Sequence, residues 1–259
     1  MLFGESKRYY VERRISDRMT ALNVASFSGY FARLRANLDG EIEKFVNAFT
    51  VNETYFYRED HQLHCLSSDL LNERVRTRAG AHSLRIWSLP CATGEEPYSI
   101  AMWLLENWPE VDTHEIEIVG SDIDTECIAA ARAGEYGSRA LMRLSAPLIA
   151  KYFEQISDDR WRISPDLRGS VQFTSANLVD PADIRRHGTF DVIFCRNVLI
   201  YFDDSSRRVA AENLFEALAP GGFLCLGHTE SMSRISSLFD VRRFADGIVY
   251  QRPGGRSHG

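Results

Sequence analysis

From Leu84 to Gln251 short apolar runs alternate with helical stretches, and this alternation restricts the fold more than any other feature. Residues 84–89, 115–121, 190–195 and 223–227 have the length and apolar content of buried strands. Residues 97–108, 125–133 and 205–218 have helical spacing, the first with proline in its opening turn. Strands that alternate with helices pair in parallel and are covered on both faces. Ala219-Pro220-Gly221-Gly222 reads as a turn before residues 223–227. Asp246-Gly247, between 241–245 and 248–251, is a hairpin signal that adds an antiparallel strand. The expected fold class is α/β: doubly wound, mostly parallel, with a C-terminal antiparallel hairpin.

The part before this region reads as helical. Residues 7–22 contain no Gly or Pro, and Val11, Ile15, Met19 and Leu22 recur at helical spacing, with Lys7, Arg14 and Arg18 beside that stripe. Residues 27–38 follow Ser26 as a cap, and 41–49 place Ile42, Phe45, Val46 and Phe49 on one face. A further helix leads to a linker at about 76–82. The expected division is a small all-helical domain at 1–75 and an α/β domain at 76–259, with a loose tail at 253–259. Residues 134–171 fit the alternation poorly. A helix at 147–153, then Trp161-Arg162-Ile163 and Val171-Gln172-Phe173, suggests a small antiparallel unit inserted at about 138–172.

Composition excludes several classes. A formal charge of -6 over 259 residues argues against nucleic acid as the main partner. The five cysteines (65, 91, 127, 195, 225) form no CxxC pair, which fits reduced thiols and gives no metal-ligand spacing. No apolar run reaches membrane-spanning length, and the start does not resemble a signal peptide, so a cytoplasmic chain is expected. The sequon Asn52-Glu53-Thr54 then needs another explanation than glycosylation.

Ligands of doubly wound sheets bind beyond the carboxyl ends of the strands. The loop after residues 84–89 carries one glycine, Gly94, where dinucleotide sites have three, and no Gly-Lys-Ser/Thr follows. Glu95 and Glu96 would repel a pyrophosphate and suit the ammonium of a methionine moiety; helix-capping acids would look the same. At the end of the second strand Asp122, with Asp124 as second choice, could accept ribose hydroxyls. Asn177 and Leu178 could supply a polar edge and an apolar wall for adenine. Arg196, Asn197 and Tyr201 leave the strand at 190–195, where a reactive sulfonium would sit.

Five runs, in order, resemble the signatures of the CheR family of chemotaxis-receptor glutamate O-methyltransferases. They are Asn52-Glu53-Thr54-Tyr55-Phe56-Tyr57-Arg58, Trp87-Ser88 through Glu95-Glu96-Pro97-Tyr98-Ser99, Ser121-Asp122-Ile123-Asp124-Thr125, Phe194-Cys195-Arg196-Asn197-Val198 and Gly227-His228-Thr229-Glu230. The resemblance implies a helical domain joined to an S-adenosylmethionine-dependent methyltransferase domain, with the cofactor between them and S-adenosylhomocysteine as product. Asn52, Thr54 and Arg58 would reach the cofactor from the helical side. Glu96, with Glu95 still open, would hold its methionine end; Asp122 the ribose; Asn177 and Leu178 the adenine side; Arg196 and Asn197 the region of the sulfonium. Tyr201 would lie by the methyl group. Lys7, Arg14 and Arg18 would form a docking face for an acidic helix of a methyl-accepting chemotaxis receptor. Family members usually have another helix before the equivalent of residues 7–19, so the helical domain is expected to be either naturally short or cut short, and either would weaken receptor docking. The turn Ser157-Asp158-Asp159-Arg160 is short and lacks glycine, which resembles members that work without a receptor pentapeptide tail. A cofactor-binding regulatory module, or a relative retargeted to another protein or a small carboxylate, are the alternatives.

Overall fold

The computed structural model describes residue 4 and residues 7–77 and 83–254. Most of the expected linker at 76–82, and the end of the expected tail, lie outside them. Three helices open the chain: α1 (Arg8–Ala21), α2 (Phe27–Arg35) and α3 (Glu41–Phe49). Ser26 caps α2, its hydroxyl accepting from the Gly29 N–H. In α1 the half-buried positions include Tyr10, Val11, Arg14, Ile15, Arg18 and Met19. Two of the expected docking cations thus stand in the packed stripe and not beside it. Arg18 donates from Nε and Nη2 to both oxygens of Glu41, at 3.0 and 2.7 Å, and Tyr30 donates to the same carboxylate. Glu41 has 0% of its surface exposed. The Arg18 guanidinium thus neutralises a buried acid while 20% of its side chain stays exposed.

Arg18 holds the Glu41 carboxyl below the usual carboxylate range. A depressed acid stabilises the fold above the unfolded carboxylate value, about 4.3, and that contribution is lost as pH falls below it. Arg18→Met is expected to cost about 3 kcal/mol by stranding Glu41. Denaturant unfolding followed by circular dichroism should show the loss; an unchanged midpoint would leave Arg18 with the docking role alone.

Helices α4 (Asp60–Cys65) and α5 (Leu71–Thr77), joined by a π-helical turn at Leu66–Leu70, follow. Leu63, Leu66, Leu70 and Leu71 share one core with Leu84 and Ile86 of β1 (Ser83–Ser88) and Met102 of α6 (Glu95–Asn107). Arg74 of α5 completes the attachment. It donates to Asp191 Oδ1 and to the Pro220 carbonyl, while the Arg85 N–H meets Asp191 Oδ2. These helices, expected with the helical domain, pack as part of the α/β layer.

The remaining main strands are β2 (Glu115–Asp122), β6 (Val171–Ser175), β7 (Phe190–Cys195), β8 (Leu218–Leu226), β9 (Asp240–Phe244) and β10 (Gly247–Gln251); the sheet order is β6-β2-β1-β7-β8-β10-β9. The first five are parallel, and β10 runs antiparallel to both its neighbours, β8 and β9, as the hairpin signal implied. Helices α6 and α7 (Thr125–Ala133) lie against one core cluster and α12 (Asp204–Ala217) against the other. Between β6 and β7 stands the short α11 (Pro181–Arg185).

Two expectations change. The turn at 219–222 lies inside β8: the register with β7 jumps from Phe190↔Leu218 to Val192↔Phe223. The excursion is a bulge held by the Gly221 N–H to Arg252 and by Arg74 on Pro220. Val171-Gln172-Phe173, expected in the insert, begins β6, the parallel edge strand beside β2. The inserted sheet is instead β3 (Glu135–Tyr136), β5 (Arg160–Ile163) and β4 (Phe153–Ser157), accompanied by α8 (Ser138–Leu141), α9 (Ala146–Tyr152) and α10 (Pro165–Gly169). Strand β4 directly follows α9, so no turn residue marks it.

A candidate cofactor cleft between the helical and sheet layers

Strands β1 and β7 are neighbours whose following connections diverge to opposite sides of the sheet, which opens a crevice at their carboxyl ends. The loop after β1 forms its first wall. Gly94 adopts φ +96 as the N-cap of α6, and a Cβ there would meet Ala131 at 2.9 Å, so only glycine turns the chain here. The next two residues point apart because successive helix positions differ by ~100°. Glu95 turns inward, 4% exposed, accepts from the Thr93 hydroxyl, and burial pushes its carboxyl up. Glu96 lines the cleft and accepts from the Ser88 hydroxyl at 2.7 Å and from Arg196 Nη1 at 2.8 Å.

The opposite wall is the exit of β7. Arg196 reaches Glu96 with Nη1, the Arg58 carbonyl with Nη2, and Glu59 at 3.3 Å; its Nε is buried without a partner. Burial pushes the Glu59 carboxyl up, but Arg196 and His228 outweigh this and hold it below its usual range. Asn197 has φ +58, a strained value for a residue with a side chain. Glu230 holds that turn: its carboxylate accepts the backbone N–H groups of Asn197, Val198, Leu199 and Gly227. A Cβ on Gly227 would lie 2.6 Å from Asn197 Nδ2 and 3.0 Å from Glu230 Oε2, so a larger residue here would displace those side chains.

The end of β2 joins the helical layer to the sheet. Asp122 is 3% exposed; burial raises its carboxyl to about 6, against the N–H groups of Asp124 and Ala92 that it accepts. It stands behind the cleft lining, next to Ile123, which is part of it. Asp124 caps α7 through the Glu126 and Cys127 N–H groups and accepts from Thr50 and Asn52. Asn47 of α3 bonds Thr125 next to it.

Asn52, Thr54, Arg58, Glu96, Arg196 and Asn197 line one cavity. Across Pro90, which lines both, lies a second of about 450 Å³ that includes Asn177 and Leu178. Val11 of α1 and Phe45 and Phe49 of α3 roof it. Asn177 takes an Asx turn, its Oδ1 accepting from the Val179 N–H. Ten expected cofactor residues thus fall into three groups: eight line the two cavities, Asp122 lies just behind, and Glu95 is turned away. Tyr201 is outside both linings, beside Phe202, with Lys7 Nζ 6.0 Å from its ring centroid. Arg14 stacks on Tyr10, its guanidinium carbon 5.1 Å from that centroid. Glu59, Thr50, Ser88 and Glu230 were missed. Ser88 and Glu230 stand inside family-like runs, which is a signal for both; Thr50 and Glu59 have only their neighbours in space.

A parallel sheet with an antiparallel terminal hairpin, and a cleft built on a one-glycine acidic loop, define a doubly wound methyltransferase. The family model described as "CheR methyltransferase, SAM binding domain" matches residues 52–248, and "CheR methyltransferase, all-alpha domain" matches residues 1–50. The chain belongs to the CheR family, and its cofactor is S-adenosylmethionine. It is 48% identical over 254 residues, 98% of this chain and 88% of the other, to chemotaxis protein methyltransferase 2 of Vibrio cholerae. It is 35% identical over 253 residues to the chemotaxis protein methyltransferase of Salmonella typhimurium, covering 93% of this chain and 82% of that one. Among the described residues no helix is long and apolar enough to cross a membrane.

Proposed function

We propose that this protein, acting in the cytoplasm, transfers the methyl group of S-adenosylmethionine to glutamate carboxylates on the cytoplasmic domain of chemotaxis receptors. The products are glutamate methyl esters and S-adenosylhomocysteine. Relatives described as chemotaxis protein methyltransferases support the substrate, and the glycine-free turn between β4 and β5 supports work without tail tethering.

One observation carries the cofactor reading: the cleft holds a buried donor without a partner, and just behind its lining stands a desolvated carboxylate that can accept further donors. The buried Nε of Arg196 is an unused donor. Asp122 is a desolvated carboxylate served by backbone N–H groups, and ribose hydroxyls would be further donors to it. Glu96 would take the methionine ammonium, with Asn52, Thr54, Arg58, Arg196 and Asn197 around that end. Asn177 and Leu178 would face adenine, and Tyr201 the transferred methyl. When bound, the cofactor supplies an electrophilic methyl group on a sulfonium. The acceptor glutamate is ionised near neutral pH, so no residue need remove a proton. The chain's own work is alignment and the exclusion of water beneath α1 and α3.

Labelled cofactor incubated with a receptor cytoplasmic fragment should leave base-labile label on receptor glutamates. Cofactor binding with no transfer would leave a regulatory module instead. The ribose assignment has its own test. Ribose donors favour the ionised form of Asp122, so affinity for S-adenosylhomocysteine should rise as pH increases through about 6 and level off above it. Asp122→Asn should weaken binding roughly tenfold and flatten that profile. A titration series by calorimetry reads both; an unchanged slope would remove Asp122 from the ribose.

A further inference from the structure

A shallow, largely open hollow adjoins the cleft and takes no part in the proposed cofactor contacts. It is lined by Asn52, Glu53, Thr54, Gly137, Arg139 and Ala140, and the first three also line the cleft. The segment after α3 is therefore a partition with the cofactor site on one side and this vestibule on the other. Its outer wall is the start of the inserted unit. The two walls are fixed to each other: the Phe56 N–H donates to the Ala140 carbonyl, and the fully buried Phe56 ring packs edge-on against Tyr136 and Phe153.

The vestibule holds one cation and one anion, Arg139 and Glu53, in contact at 2.5 Å with side chains 81% and 71% exposed. Exposed pairs contribute little to stability, so holding the walls together is a poor account of this one. Glu53 lies on the partition itself, where an arriving carboxylate would meet its charge. Arg139 offers such a carboxylate a bidentate partner, provided it exchanges one acid for the other.

We propose that the vestibule receives an acidic peptide segment and that Arg139 binds a carboxylate of it, displacing Glu53. The substrate class rests on the glutamate acceptor proposed above; the site itself rests on the shared walls and the exposed pair. Glu53 then acts as an internal competitor that the incoming chain must replace, which disfavours neutral peptides.

The test uses the full chain, a glutamate-rich peptide as binding probe and a receptor cytoplasmic fragment as methyl acceptor. Arg139→Gln should weaken peptide binding about 3- to 10-fold and raise the receptor KM by a larger factor than it lowers kcat. Affinity for S-adenosylhomocysteine and the unfolding midpoint should stay at wild-type values. Arg139→Lys should restore part of the loss, and Glu53→Gln should tighten the peptide. Added salt should weaken wild-type binding more than that of Arg139→Gln. Unchanged peptide affinity and KM in Arg139→Gln overturn the proposal. Arg139-dependent peptide binding with no transfer to the receptor would retain the site and refute the proposed function.

Discussion

Glu230→Ala is expected to destabilise the protein by about 3 kcal/mol and to weaken cofactor binding ~100-fold. The carboxylate is the common acceptor for four backbone N–H groups at 2.7 to 3.0 Å, three of them consecutive at 197–199. Without it those donors face one another, and the left-handed turn at Asn197 loses what holds it. Arg196 precedes that turn, so its guanidinium loses its place against Glu96. Glu230→Gln keeps one oxygen and sets an amide NH₂ against the remaining donors, which should give an intermediate loss. Denaturant unfolding and an S-adenosylhomocysteine titration measure the two effects. Full affinity in the alanine variant would mean that the turn stands without its acceptor.

Arg196→Met should abolish cofactor binding at ordinary concentrations and cost about 3–5 kcal/mol in stability. The side chain is 4% exposed and lies between Glu59 and Glu96, whose own side chains are 12% and 14% exposed. Removing the cation leaves two carboxylates in a site with little water. Lysine is a poor substitute, because one ammonium cannot serve Glu96, Glu59 and the Arg58 carbonyl together. Arg196→Lys should therefore fold better than the methionine variant yet bind cofactor weakly. The same titration and unfolding measurements decide it; wild-type affinity in either variant would place the methionine end elsewhere.

The fold was legible wherever a hydrophobic period had room to repeat. Residues 125–133 and 190–195 match α7 and β7 to the residue, and the hairpin followed from Asp246-Gly247 because turn chemistry is local. What escaped depended on pairing in space. Val171 looked like part of the insert because it follows a short, turn-rich stretch; its partner, Ile118 of β2, is distant in sequence. The turn at 219–222 has the composition of a loop, and only its pairing with Arg252 makes it a bulge.

The candidate site shows the same division. Runs carrying glycine, paired acids or amides brought Glu96, Asn177 and Arg196 forward. Which of Glu95 and Glu96 faces the cleft needed the phase of α6, and sequence does not set that phase until Gly94 is seen as the cap. The ion pair of Arg18 was not legible because a charge on an amphipathic helix is ordinarily solvated. Its partner Glu41 opens a different helix and is buried.

The contacts of Asn47, Thr50 and Asn52 converge on two consecutive residues, Asp124 and Thr125. We expect so small a joint to act as a pivot. Tilting the helical layer about it would carry Val11 and Phe45 across the cavity that Asn177 and Leu178 line, while Asn52, close to the axis, would hardly move. The leverage is unequal: the proposed nucleoside side would widen for exchange more readily than the proposed methionine side.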